Sequence, residues 1–409
     1  MIEFVRIFNK LLEPIRIIDD FSSLIWRSVF FGCGEFEIYA PATPANVAAL
    51  SVGNFIVRGD ARFSPKKRNL SVGMIQTVSR SFSLSSGEML KASGRLGKDI
   101  TRQRLIFGGI DPTDSLKATI ISGNVEDAAR TLFDANVGSE SIANRKISFC
   151  GLGTDNGYPE TLSEKRSIVR ENLFDYLTAF LKEFKMSFDL ELNQTETFKL
   201  LFSVKKGIDR TLGNGVNDPI IFSESLDNVS DSSYMYDVTN AKSDILIGGS
   251  NGTGASQTFV LSDNASGIDR RETYLSSSVR GSYQTKAEIE AFYPGGTWAE
   301  GDGTYYIDDV PVADSTNGGA PYSLRGEYYA PLLADAGKME LQKFTASEKY
   351  NASLLLSEDF RDKFDLGDLV TLQDRRFGIQ KNVRIAEIIE TQDSDGYIAR
   401  VSVSDLSEE

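Results

Sequence analysis

Apolar and polar residues alternate at both ends of the chain. Phe4-Val-Arg-Ile-Phe8 alternates, and Ile15-Arg-Ile-Ile18 runs into the turn signal Asp19-Asp20. Gly34-Glu-Phe-Glu-Ile-Tyr39 alternates apolar with acidic residues up to Ala40-Pro41. A period of two places one strand face in a core and the other in water. Phe55-Ile-Val57 and residues 73–78 and 88–93 predict further short strands, and residues 44–50 a helical turn. Short strands punctuated by Gly, Pro and Asp suggest a barrel or a sandwich. The same pattern returns late in the chain, in residues 352–356, 368–372, 383–389 and 397–403.

Between these β-rich ends the period changes. Asn124 precedes Val125, Ala128, Ala129 and Leu132 at helical spacing, with Asn as the cap. Thr161-Leu-Ser-Glu164 has the pattern of a capping box, and Val169, Leu173, Tyr176, Leu177, Phe180 and Phe184 follow on one face. This predicts a single helix over residues 161–185, roughly 36 Å long. Strands are expected at 187–192, 198–204 and 219–223. Residues 227–322 are rich in Gly, Ser, Asn and Asp, with strand signals at 244–248 and 258–261, a short helix at 285–292 and a loop-rich piece at 294–321. Residues 323–337 read as helical, with Pro331 as a kink.

Length supports several domains: 409 residues exceed one ordinary core. Four regions are expected: 1–110 with 194–226, an α/β region 111–193, a Gly/Ser-rich peripheral insertion 227–345, and a last β-rich region 346–409. The fold class is α+β, rich in strand. The last β-rich region runs to the final residues, so no appended lytic domain is expected. No run of 18 apolar residues is present, and the charged N-terminus does not resemble a signal peptide.

Composition narrows the chemistry. Histidine is absent, which removes a Ser-His-Asp triad, a Cys-His pair and a His-ligated zinc. Cys33 and Cys150 form no C-x-x-C and are expected to be free thiols. With 44 basic and 58 acidic residues the net charge is −14, so nucleic acid would be held only by a segregated basic patch.

Four constellations remain as candidates. Residues 249–256 follow an apolar strand with glycines spaced as in a phosphate loop, but Ala255 stands where the Lys belongs and no helix follows, so a hairpin loop is expected. Thr391-Gln-Asp393-Ser-Asp395-Gly396 resembles part of a calcium loop and is better explained as a hairpin turn. Glu35 with Glu37, and Asp189 with Glu191, share strand faces, as paired catalytic carboxylates would, and a solvated face explains them equally. The basic residues of 65–68, Arg102, Arg104, Arg375 and Arg376 lack interleaved aromatics. No residue is assigned a catalytic, cofactor-binding or metal-binding role.

Ile17-Ile-Asp-Asp-Phe-Ser-Ser-Leu-Ile-Trp26 and Gly34-Glu-Phe-Glu-Ile-Tyr-Ala-Pro41 resemble the tail-hub proteins of siphophages and prophages, of ReqiPepy type. The resemblance continues through Gly53-Asn-Phe-Ile-Val57, Leu90-Lys-Ala-Ser-Gly-Arg95, Lys206-Gly-Ile-Asp-Arg210, Ile220-Ile-Phe-Ser223, Asp269-Arg-Arg-Glu272, Phe364-Asp-Leu-Gly-Asp-Leu-Val370 and Arg384-Ile-Ala-Glu-Ile388. Residues 294–321 lie outside it. The resemblance implies a structural virion protein without enzymatic activity or cofactor, similar to the central hub of contractile-tail baseplates. It implies two β-barrel-like domains per chain and a homotrimer that forms a pseudo-sixfold ring. The implied partners are a distal tail protein or tail tube, the tape measure protein, and tip or fibre proteins, with DNA passing through unbound. Synthesis in the bacterial host cytoplasm and residence in the phage tail follow from it. Two other readings stay open: a cell-wall hydrolase using paired carboxylates, and a receptor- or glycan-binding tip contacting its target through Trp298, Tyr305 and Tyr306.

Overall fold

The computed structural model describes residues 2–59, 69–84, 87–106, 118–193, 198–229, 231–251, 256–262, 265–299, 301, 303–316, 318–353, 363–374 and 378–405. The N-terminal region builds β1 (Phe4–Phe8), β2 (Pro14–Ile18), β3 (Ser23–Val29), β4 (Glu35–Pro41), the short helix α1 (Pro44–Ala49), β5 (Phe55–Gly59), the long hairpin β6 (Asn69–Ser83) and β7 (Gly87–Leu96), and α2 (Asp99–Arg102). Pairing runs β2–β1–β5–β6–β7–β4–β3. Alternate residues from all seven strands, among them Val5, Ile18, Trp26, Ile38, Ile56, Ile75 and Ala92, meet in one buried cluster. A flat sheet could not bring them together, so the strands curl around that core as the alternation requires.

The α/β region follows: β8 (Thr119–Ile121), α3 (Val125–Asn136), β9 (Cys150–Leu152), β10 (Arg166–Ile168), α4 (Leu173–Glu183), β11 (Ser187–Asn193) and β12 (Lys199–Lys205). Asn124 caps α3 by accepting from Asp127 N, as its sequence signal indicates. The single helix expected over 161–185 is shorter. Thr161 bridges Asn124, Arg166–Ile168 pairs with Thr119–Ile121, and Arg170 takes a left-handed φ of 55°. Asn172 then caps α4 by accepting from Phe174 N and Asp175 N. The capping-box spelling at Thr161 loses because a strand partner holds 166–168, and the left-handed residue separates the two elements. The apolar face of α4 packs with α3 on β11 and β12, where the Phe133 and Phe202 rings stack at 4.5 Å.

Next come β13 (Ile221–Ser223) and β14 (Asp231–Asp237), then β15 (Asp244–Ser250), β16 (Ser256–Ser262), β17 (Glu272–Ser276), β18 (Ser282–Tyr283), α5 (Lys286–Phe292), β19 (Thr297–Trp298), β20 (Thr304–Ile307), β21 (Val310–Thr316), β22 (Gly319–Leu324) and α6 (Gly326–Leu341). The stretch read as loop-rich, 294–321, contains strands of an antiparallel sheet ordered β18–β22–β21–β20–β19. Gly, Asp and Asn there mark tight turns, with left-handed Asp308 and Asp309 between β20 and β21. The helix expected at 323–337 spans Gly326–Leu341 and contains Pro331.

The chain closes with β23 (Ser347–Ser353), β24 (Leu369–Asp374), β25 (Ile379–Asp393) and β26 (Gly396–Asp405). Strand β14, which the sequence reading placed in the peripheral insertion, pairs with β23 in the large sheet. Its Ser-Ser-Tyr-Met-Tyr spelling carries no clean alternation, because it lies at a sheet edge rather than over a core.

Two parts of the large sheet repeat one another. One runs β5–β6–β7–β4–β3 and the other β24–β25–β26–β23–β14, in the same order of pairing and of sequence. Each has a bulge in its long strand, between Ile75 and Thr77 in β6 and between Ile385 and Glu387 in β25. The turn after β3 is short. At the same place in the second unit, between β14 and β23, the chain inserts β15–β22, α5 and α6. No spelling-level repeat accompanies this; the two units share strand order, pairing and bulge rather than residues.

Candidate interaction site

The two units are joined edge to edge. β25 pairs antiparallel with β3 from Glu387↔Val29 to Gln392↔Leu24. Arg27 on β3 reaches Glu387 Oε2 at 2.6 Å and Glu35 Oε1 at 3.2 Å. Deeper in, Glu390 is 1% exposed and forms an ion pair with Arg58, whose guanidinium lies 5.5 Å from the Trp26 ring. The Tyr397 hydroxyl donates to the same carboxylate. A buried acid with a cation and a hydroxyl donor costs far less than an unpaired one.

The short turn after β3 is fastened from three sides. Phe30 N donates to Ala386 O at 2.9 Å. Lys98 Nζ donates to Phe30 O at 2.8 Å, Val29 O at 3.1 Å and Ser187 Oγ at 3.2 Å, and burial pulls its pKa down. Arg384 donates to Lys206 O and Gly367 O, both at 2.8 Å, and lies over Phe30. Burial also pushes the nearby Cys33 thiol up to about 11.

The opposite edges carry no second strand among the described residues. Among the described residues, 77–82 of β6 pair only with β7, and β14 has one neighbouring strand, β23. Both edges carry exposed apolar side chains: Phe82 is 68% exposed, Met235 48% and Tyr236 56%. Natural proteins blunt or cover such edges, because their free backbone groups pair with other strands.

The other sequence candidates do not assemble a reaction centre. β15 and β16 form the hairpin expected around 249–256, and residues 252–255 lie outside the described ones. Asp393 and Gly396 close the β25–β26 hairpin, and Asp395 N bonds Asp393 Oδ1 at 2.9 Å. Glu35 and Glu37 each have their own cation, and the Lys91 ammonium 2.8 Å from Glu37 holds that carboxyl below its usual range. The Asp189–Glu191 pair is split. Burial pushes the Asp189 carboxyl up, while Glu191 takes Lys205 at 3.0 Å. Arg102 bonds Asp99 and Asp175, and Arg104 donates to Arg145 O. The basic residues of 65–68, Arg375 and Arg376 lie outside the described residues.

Tyr305 is fully buried, and Trp298 packs on it at 4.9 Å while its Nε1 donates to Glu290. Tyr305 belongs to the core of the insertion, which corrects its reading as an exposed contact, while Trp298 and Tyr306 are half-buried. A cleft of about 260 Å³ between α4 and α6 is lined by Tyr176, Leu332, Asp335 and Met339, with Arg166 bonded to Glu183 at 2.7 Å. Among the described residues, no group of three or more Asp, Glu or Cys side chains converges as a metal site requires. No helix there is long and apolar enough to cross a membrane.

The sequence matches the family described as Siphovirus ReqiPepy6 Gp37-like protein over residues 4–403. The chain belongs to this family. No curated protein matches it. Two solved structures of low identity share the family member's fold over nearly its whole length. The 43 kDa tail protein of prophage MuSo2 from Shewanella oneidensis has a TM-score of 0.53 and 12% identity, over 98% of each chain. The tail protein from Neisseria meningitidis MC58 also has a TM-score of 0.53, with 13% identity over 99% of this chain and 96% of the other. At such identity the likeness concerns the fold, which is strand-rich α+β as the alternation implies. These edges on β6 and β14 are what the sequence reading missed. The one signal for them is apolar residues, Phe82 and Met235-Tyr236, in strands that lack a clean alternation.

Proposed function

We propose that this protein is a structural hub of a phage tail: a homotrimeric ring near the tail tip, resident in the virion. The observation that carries the reading is the internal repeat. Two units of five strands with the same order, joined edge to edge in one chain, would give six quasi-equivalent units in a trimer. Such a ring suits a junction between a sixfold tube or distal tail ring and a threefold tip. The tape measure protein and tip or fibre proteins are its further expected neighbours. With −14 on each chain, three chains carry about −42. Acidic residues facing the channel would let DNA pass without sticking, because like charges repel. The reading assigns no catalytic step to the chain. It is tested by light scattering and by electron microscopy of the purified protein. A mass of about 135 kDa from chains of 45.0 kDa, with a threefold ring in projection, supports it. A monomer at every concentration, or a ring with a basic lumen, counts against it.

A further inference from the structure

Within the chain, the second unit's long strand β25 pairs through its outer edge with the outer edge of β3 in the first unit. The counterparts of these two edges are those of β6 and β14. β14 begins the strand path β14–β23–β26–β25–β3–β4–β7–β6–β11–β12–β9 and β6 stands eighth on it, and no pairing joins the two among the described residues of one copy. We propose that β6 of one copy pairs antiparallel with β14 of the next, repeating between chains the junction that β25 and β3 make within one. This rests on the ring reading above and specifies the surface through which the ring closes.

The internal repeat fixes the register. Ile75 faces Gly94 as Ile385 faces Val403, and beyond each bulge Thr77 faces Ser93 as Glu387 faces Ser402. Phe36 lies opposite Gly94 as Tyr350 lies opposite Val403. Trp26 lies opposite Phe36 as Tyr234 lies opposite Tyr350. Thr77 therefore corresponds to Glu387, and Asp237 to Val29. The in-chain register from Glu387↔Val29 to Gln392↔Leu24 becomes, between chains, Thr77↔Asp237 to Phe82↔Ser232. Ser79 faces Met235, the place held within the chain by Ile389 and Arg27.

The surface chemistry agrees with a protein strand as the occupant. Val78 and Phe82 on one edge, and Met235 and Tyr236 on the other, put apolar side chains where each strand lacks a second neighbour in the described chain. Pairing would cover both edges at once, and one copy's β6 needs the next copy's β14. That contact is heterologous, of the kind that generates closed rings. A slip of one residue would turn every side chain to the wrong face, so the register is a strict part of the inference.

The test is cysteine cross-linking in the full chain. Directly opposed residues of antiparallel strands have Cα atoms about 4.5–5.5 Å apart, within disulfide range. The double variant Ser79→Cys with Met235→Cys, mildly oxidised and run without reductant, is expected to give covalent dimers and trimers. The unmodified chain, with Cys33 and Cys150, and each single variant should stay monomeric on the same gel. Ser79→Cys with Tyr236→Cys, one residue out of register, should cross-link far less. Light scattering on the same samples separates the two levels. A trimer that does not cross-link at 79 and 235, or that cross-links equally at 79 and 236, overturns this interface and leaves the ring standing. A monomer at every concentration, without cross-links, overturns both. Circular dichroism of the reduced double variant confirms that the chain is folded, and both substituted positions are exposed.

Discussion

The junction between β25 and β3 and the edges of β6 and β14 use corresponding strands but differ in chemistry. At the junction, charges cross the seam: Arg27 with Glu387 at the surface, and Glu390 with Arg58 beneath. On the outer edges the exposed side chains include the apolar Phe82, Tyr234, Met235 and Tyr236, and the one ion pair described there, Arg80 with Glu88, is exposed and stays within the first unit. A contact formed once, during folding, can hold a desolvated ion pair because neither partner is later exposed. A contact made between separate chains gains more from apolar area, which costs nothing to keep solvated beyond the hydrophobic penalty itself. One β architecture thus carries both a sealed seam and, in the proposed ring, a docking edge.

The largest effect is expected at the seam. Glu390→Ala leaves the Arg58 charge, only 14% exposed, without its buried partner and should cost about 3–5 kcal/mol in denaturant unfolding. A loss below about 1 kcal/mol would show that the seam does not depend on its buried pair. At the outer edge, Met235→Lys with Tyr236→Lys replaces exposed apolar side chains by charges that discourage strand addition. Association into the proposed trimer should weaken about 100-fold, with the melting temperature of the dissociated chain nearly unchanged. If the chain itself melts earlier, the edge belongs to its core and the contrast between seam and edge disappears.

A smaller effect concerns the turn after β3, short in the first unit where the second carries the insertion. The folded-state pKa of Cys33 is raised from 9.0 to about 11 and that of Cys150 to about 12. The folded chain therefore holds these protons after an unfolded chain has released them. Their contribution to stability is complete below pH 9 and is lost as pH rises through about 11 and 12. Cys33→Ala should remove about one proton of pH dependence from the unfolding free energy between pH 9 and 11. Unfolding curves across that range measure it, and an unchanged slope would place Cys33 in solvent. The smallest effect is Arg27→Ala. The side chain is 37% exposed, so its loss should cost less than about 1 kcal/mol even though it bonds Glu387 across the seam.

Much of the fold was legible where one element faces one core. Gly34 to Pro41 alternates because β4 has a wet face and a buried face, and Asn124 spells the start of α3 because capping is a local contact. Helix α4 was legible on its apolar face but not at its start. Nothing local in Thr161-Leu-Ser-Glu164 reports that residues 166–168 will find a strand partner at 119–121. The sheet within 294–321 was hidden for a related reason: its strands are short, and their turns dominate the composition. The aromatics at 298, 305 and 306 show the same limit, since a side chain's exposure depends on what packs over it, and Tyr305 lies inside.

The sequence by itself determined the class of the protein. Alternation, length and the absence of histidine point to a strand-rich protein of several regions without His-dependent catalysis, and the ordered family spelling points to a phage tail. Only the tertiary structure decided that the two β-rich ends are copies of one arrangement, which edge of each is sealed, and which edge lacks a second strand among the described residues. The physical reason is that strand neighbours are chosen by backbone hydrogen bonds, which every residue but proline offers alike. Two units can therefore share order, bulge and register while sharing almost no spelling.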